Sequence, residues 1–143
     1  MKHSISTKIF IGTITVIAAL SCDPVFWTKI NNKSGNDIIV EIQFDKTEIT
    51  SVWQNRPFLP YLEGRLKGGG VIIKFDTISL VSDILLKPSE SFKIEGGVGF
   101  RPDFFGIKKI SIFKNDTIVL DNKEIMIKSF KETSRRQFNL DLK

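Results

Sequence analysis

Short runs rich in isoleucine, valine and phenylalanine, separated by turn residues, occupy the chain from Val25 onward. The clearest run is Asp37 to Phe44, in which every second position is apolar and the positions between are polar apart from Ile39. A repeat of two residues is the pattern of a strand with one face buried and the other in water. This run therefore predicts a half-buried β-strand.

Similar runs predict further strands over residues 26–30, 71–75, 84–95, 109–120 and 137–142. The turn residues predict three hairpins: 26–30 with the strand at 37–44, one within 84–95 around Lys87-Pro88-Ser89-Glu90, and one within 109–120. No amphipathic helix long enough to connect parallel strands is evident. The sequence predicts an all-β fold, an antiparallel β-sandwich of immunoglobulin-like or Greek-key type with about seven to nine short strands. A closed ligand-binding barrel is the alternative.

The first residues have a different pattern. Residues 1–8 are polar and carry Lys2 and Lys8, and residues 9–20 are apolar apart from small Gly12, Thr13 and Thr15. A charged start, a short apolar run and small residues at its end are typical of a secretory signal peptide. The apolar run is shorter than the roughly 20 residues that span a bilayer. The alternative, an N-terminal helix of a soluble domain, would need burial on all sides.

The only cysteine of the chain, Cys22, follows this apolar run. The segment Ala19-Leu20-Ser21-Cys22 resembles the lipobox of bacterial lipoproteins. The resemblance implies cleavage before Cys22 and acyl chains, palmitate among them, on its sulfur and new amino group. With one cysteine, a disulfide within the chain is excluded. The domains predicted are a signal peptide over 1–21, a lipidated anchor and linker over 22–25, and one β-sandwich over 26–143.

Composition excludes several classes of function. Without the signal peptide the chain has 19 basic and 16 acidic residues, a net charge of +3 spread along the sequence, so a nucleic-acid partner is not expected. The only histidine, His3, lies in the signal peptide. Catalysis by Ser-His or Cys-His pairs therefore lacks its base, and we expect no catalytic residues, no metal site, no cofactor and no enzyme activity. The glycine clusters 68–70 and 96–99 lack the context of phosphate loops and predict flexible turns or bulges.

Two segments combine aromatic residues with arginines and do not alternate as strands do: residues 53–67 and 100–106. Side chains of these types dominate protein interfaces and stack on sugar rings. The alternative is that the aromatic residues hold long loops against the core. The candidate binding surface consists of Trp53, Arg56, Phe58, Tyr61, Arg65, Phe100, Arg101, Phe104 and Phe105.

The sequence thus predicts a lipid-anchored protein of the bacterial cell envelope, extracytoplasmic, on either the inner or the outer membrane. Its expected role is non-catalytic: it binds a protein or glycan partner or serves as an accessory subunit of an envelope assembly. Two alternatives are a polysaccharide hydrolase that uses two carboxylates, for which acidic residues such as Glu41, Asp45 and Glu48 are available, and a carrier of a small apolar ligand.

Overall fold

The computed structural model describes residues 24–54 and 56–143, so the predicted signal peptide and Cys22 lie outside the described residues. Within these residues, nine strands form two sheets and three short helices connect them. The strands are β1 (Val25–Asn32), β2 (Ile38–Phe44), β3 (Val71–Asp76), β4 (Val81–Leu86), β5 (Ser91–Val98), β6 (Ile107–Phe113), β7 (Thr117–Leu120), β8 (Lys131–Ser134) and β9 (Gln137–Leu142). The helices are α1 (Lys46–Trp53), α2 (Leu59–Leu66) and α3 (Lys123–Ser129). The predicted β-sandwich is confirmed.

The four-stranded sheet has the order β5-β1-β9-β8, and the five-stranded sheet has the order β3-β4-β2-β6-β7. Neighbouring strands are antiparallel except β1 and β9, which run parallel with Trp27–Asn32 beside Gln137–Leu142. Both sheets keep open edges, so the fold is a sandwich and not the closed barrel considered as the alternative. β1 begins at Val25, one residue before the predicted start of the domain.

The core lies between the two sheets, where the apolar face of each strand is turned inward. In β2 the positions Ile38, Val40, Ile42 and Phe44 are all buried, as the alternation predicts. Phe26, Ile30, Phe92 and Phe138 of the other sheet belong to the same cluster. Full burial of such a side chain stabilises the fold by about 1.5–3 kcal/mol relative to exposure. This shared core holds the sheets together.

Two of the three predicted hairpins are wrong, because their strands lie in different sheets. β1 is in the four-stranded sheet and β2 in the five-stranded sheet, and β4 and β5 are separated in the same way. The β6–β7 hairpin is confirmed. The Asn32 side-chain amide fixes the crossing after β1 by donating to the carbonyl oxygens of Leu86 at 2.9 Å and Asn36 at 2.8 Å. Turn residues mark where a strand ends, but they do not say which sheet the chain enters next.

In the Gly68–Gly70 run, predicted as a flexible turn or bulge, Gly68 and Gly69 pack tightly against β5. The backbone N–H of Lys93 donates to the Gly68 carbonyl oxygen at 2.9 Å. A Cβ atom at Gly68 would lie 2.2 Å from the Lys93 carbonyl oxygen, and one at Gly69 would lie 2.2 Å from that of Ser91. The glycines are needed because two backbone segments approach closely here.

The helices were not predicted, because each is too short to show a clear helical repeat. Asp45 caps α1 by accepting from the Glu48 N–H at 3.0 Å, and Ile49 faces the core. In α2, Pro60 lies in the first turn and Leu62 and Leu66 form the buried face. Over the part of the chain that the structure describes, no helix is both long enough and apolar enough to cross a membrane.

Candidate functional site

An open cleft of about 640 Å³ lies where α2 faces the edge of β5. One wall is formed by Tyr61, Gly64 and Arg65 of α2, and the other by residues 93–98 of β5. Asp103 and Phe105 close one side. Binding sites for small ligands commonly have volumes of roughly 300–1,000 Å³, so this cleft has the size of a binding site.

Arg65 holds the two walls of the cleft together. It lies four residues after Tyr61, and this spacing places both side chains on one face of α2. Its Nη1 donates to the Phe105 carbonyl oxygen at 2.7 Å and to the Tyr61 hydroxyl at 3.3 Å, and its Nη2 donates to the Ile94 carbonyl oxygen at 3.2 Å. The guanidinium also lies 5.7 Å from the Tyr61 ring centroid. Arg65 is therefore a structural bridge as well as a lining residue.

Glu95 is turned toward the interior by a β-bulge in β5. In the pairing with β1, Thr28 lies opposite Glu95 whereas Lys29 lies opposite Lys93, so Ile94 is an extra residue. Ile94 and Glu95 are consequently both buried, with 3% and 9% of their surface exposed. In the sequence, Phe92 and Ile94 alternate with Lys93 and Glu95, a pattern that predicts Glu95 on the outer face with Lys93, and this prediction is wrong. A bulge of one residue reverses the alternation beyond it.

The Glu95 carboxylate holds the loop between β5 and β6. Its two oxygens each accept from a backbone N–H, of Phe104 and of Phe105, at 3.2 Å. Phe104 is fully buried, has a positive φ of 53° and stacks on Phe130 with 5.1 Å between ring centroids. A buried side chain in the left-handed region persists only when its surroundings hold it there. Glu95 supplies part of that restraint.

Burial and, to a smaller extent, a hydrogen bond with the Asp103 carboxyl together raise the pKa of Glu95 to about 7, although the Arg65 charge opposes the rise. The negative charge of Asp103 also disfavours the charged form of Glu95, because like charges repel each other. The cleft thus contains one carboxyl group, that of Glu95, whose charge changes near neutral pH. The raised pKa follows from the same bulge that turns Glu95 inward.

The cleft also contains cations and bare backbone. Lys67 and Lys93 line it, as do Gly68, Gly96 and Gly97, which present main-chain groups without side chains. The Lys93 ammonium lies 3.9 Å from the Trp27 ring centroid. A second cavity of about 280 Å³, on the outer face of the four-stranded sheet, is lined by Trp27, Lys29, Lys93, Gln137 and Asn139. Lys93 lines both cavities, so they adjoin.

The structure brings together only part of the predicted surface. Tyr61, Arg65 and Phe105 line the cleft. Trp53 stacks on Tyr61 at 5.0 Å between ring centroids, and Trp53 and Phe58 pack against the core. Phe104 belongs to the core itself, as the alternative interpretation predicted. The other three of the nine residues neither line the cleft nor pack in the core, and they are exposed: Arg56, Phe100 and Arg101.

The acidic residues singled out from the sequence have structural contacts. Asp45 caps α1, and Glu48 accepts from the Gly106 N–H at 2.8 Å and pairs with Lys123. Glu41 accepts from the Ser111 hydroxyl at 3.1 Å and pairs with Lys109 at 3.3 Å. The acidic pair that does face a cleft is Glu95 and Asp103, which the sequence analysis did not select. The glycine cluster 96–99 was predicted as a turn or bulge, but the sequence did not show that the bulge lies at Ile94 and turns Glu95 inward.

The arrangement is suited to holding a hydroxyl-rich or anionic ligand between aromatic faces, ammonium groups and main-chain amides. Among the described residues, no three acidic, histidine or cysteine side chains are grouped as a metal site would require. Comparisons of the chain with protein-family models, with curated proteins and with solved structures found no match.

Proposed function

We propose that this protein is a non-catalytic, lipid-anchored binding protein of the bacterial cell envelope, and that the cleft between α2 and β5 binds an acidic glycan. The observation that carries the proposal is the cleft itself. It joins parts of the two aromatic segments that the sequence singled out, including Lys67 at the end of the first, and it adds Lys93 from β5.

The chemistry of the lining supports a sugar ligand. Tyr61 and Phe105 supply aromatic surface in the lining against which a pyranose ring can pack, and Asp103 and the glycine main chain offer hydrogen-bonding groups for hydroxyls. Lys67 and Lys93 offer two ammonium groups for an anionic substituent such as a uronic acid carboxylate. The Arg65 guanidinium is already bonded to protein oxygens, so these lysines are the cations available to the ligand.

We predict that Lys67→Glu weakens the binding of an acidic oligosaccharide about tenfold or more, because it places a negative charge where the ligand carries one. Fluorescently labelled acidic and neutral oligosaccharides, titrated against the purified full-length protein and followed by anisotropy, measure this. Lys67 is exposed, so the variant should fold normally. The matched control is Lys87→Glu, an exposed position in the turn before β5.

Equal affinity of the wild-type protein and both variants for every oligosaccharide would contradict the glycan proposal.

The same assay tests the hydrolase alternative. That alternative has one observation in its favour, the Glu95–Asp103 pair in the cleft. However, both Glu95 oxygens accept main-chain N–H groups, so the carboxylate is engaged in holding the loop. Accumulation of shortened labelled products would favour the hydrolase.

The lipid anchor is proposed from the lipobox resemblance at Ala19-Leu20-Ser21-Cys22. Since a single acyl chain gives only marginal membrane binding, stable anchoring requires two or three chains on Cys22. We predict that the mature protein begins at Cys22 and carries acyl chains there, and that Cys22→Ser leaves an unprocessed chain. Mass spectrometry of the purified N-terminus measures both. An intact chain with unmodified Cys22 would contradict the anchor.

A further inference from the structure

The end of the sandwich where β1 begins carries apolar side chains that the core does not use. Val25 and Val98 face each other across the β1–β5 pairing and are 43% and 68% exposed. Phe100, two residues after Val98, is 70% exposed. Exposed apolar residues grouped at one place are unusual on a protein that stays fully in water.

Arginines accompany these apolar residues. The Arg136 guanidinium lies 5.5 Å from the Phe100 ring centroid, and the Arg136 carbonyl oxygen accepts from the Trp27 N–H at 3.0 Å. The neighbouring Arg135 and Arg101 are both exposed. The nearby Glu132 carboxylate accepts from the main-chain N–H of Arg136 at 2.8 Å. This acidic group is therefore bonded to the backbone and not to the Arg136 guanidinium. The group formed by Val25, Val98, Phe100, Arg101, Arg135 and Arg136 is called the basal patch below.

The position of the basal patch along the chain indicates what covers it. Pro24 is fixed to this patch, because its carbonyl oxygen accepts from the Gly99 N–H at 2.6 Å. Cys22 precedes Pro24 by two residues, and two extended residues reach only about 7 Å. A lipid-modified Cys22 would therefore hold the basal patch within roughly one side-chain length of the membrane surface.

We propose that the basal patch rests on an anionic lipid surface, with Phe100 inserted among the headgroups and the three arginines bound to lipid phosphates. The inference rests on the lipid anchor of the proposed function and adds a fixed orientation to it. Aromatic side chains next to basic ones are favoured at the membrane interface. Each arginine close to an anionic surface strengthens the association about fivefold. The short tether raises the effective concentration of lipid at the patch.

This orientation is tested with an environment-sensitive dye on the mature lipidated protein in vesicles of phosphatidylcholine with or without phosphatidylglycerol. Because acylation blocks the thiol of Cys22, the only cysteine of the chain, S134C provides a single free thiol for the dye beside the arginines of the basal patch. D116C places the dye in the β6–β7 turn, at the far end of the sandwich. That turn is next to Ile39 at the start of β2, and the length of β1 separates the two ends by roughly 25 Å.

We expect brominated lipids to quench the dye at position 134 several-fold more strongly than the dye at 116, most of all with phosphatidylglycerol present. Phe100→Ser combined with Arg101→Glu should remove the part of the difference that depends on phosphatidylglycerol and leave only the smaller part due to the tether, since both side chains are exposed and their loss leaves the fold intact. Equal quenching at the two positions in a protein shown by mass spectrometry to be lipidated would overturn the inference and leave the proposed function standing. Absence of acyl chains would overturn both.

Discussion

Gly69→Ala is expected to destabilise the domain by about 3 kcal/mol or more. A Cβ at this position would lie 2.2 Å from the Ser91 carbonyl oxygen, which belongs to the backbone of β5 and cannot move aside cheaply. The residue also has a φ of +128°, a conformation that side chains other than glycine rarely adopt. The clash and the backbone strain act together, so β5 and the segment entering β3 must separate.

Thermal unfolding of the purified protein in mild detergent, followed by circular dichroism, measures the change as a fall in Tm of roughly 10 °C or more. Gly35→Ala is the matched control, because a Cβ there would meet nothing within 4 Å. It should alter the free energy of unfolding by about 0.5 kcal/mol at most. If Gly69→Ala and Gly35→Ala behaved alike, the close packing of the glycine run against β5 would be contradicted.

A second large effect is expected from pH, through Glu95. Its pKa is raised from 4.5 to about 7 in the folded protein, so between these values the folded state binds more protons than the unfolded state. The free energy of unfolding should therefore fall as pH rises from about 4.5 to 7, by up to about 3 kcal/mol. The contribution of Glu95 to the free energy of unfolding is fully present below its unfolded pKa of 4.5 and is lost above its folded pKa of about 7.

Glu95→Gln should flatten this pH dependence and make the protein more stable than wild type at pH 8. The amide is neutral at every pH, and it can accept a loop N–H and donate to Asp103. Glu63→Gln, at an exposed position on the neighbouring α2, is the control. The pKa of Asp76 is lowered by the Ile78 N–H and that of Asp141 by the Asn31 amide. Both carboxyl groups therefore titrate below the pH range over which Glu95 acts. A wild-type stability that stays level from pH 5 to 8 would contradict the burial of Glu95.

Strand positions could be predicted from the sequence because alternation is a local property. In β2, four apolar residues at every second position are all buried, and the run at 71–75 and the final run at 137–142 also form strands. The β6–β7 hairpin could be predicted for the same reason, since its two strands are neighbours in the chain and in the sheet. The two crossings between sheets could not, because the partner of a strand depends on how the whole core closes.

The candidate site could be predicted only in part. Tyr61, Arg65 and Phe105 were found from composition, because aromatic and arginine residues in segments that are not strands are conspicuous. Glu95 and Lys93 were not found, since each looks like an ordinary polar position in an alternating strand. Phe104, by contrast, was included because an aromatic residue in the core and one in a cleft look identical in a sequence.

The sequence alone therefore determined the all-β class and most strand positions, although not that of β8, and it provided the expectation of a lipid anchor. These depend on the nature and spacing of neighbouring residues. The tertiary structure decided which strands pair, that Glu95 turns inward beside Asp103, and that Phe100 and Arg136 meet at the end where β1 begins. Each of these depends on residues far apart in the chain, and a single bulge in β5 is enough to reverse what the local pattern indicates.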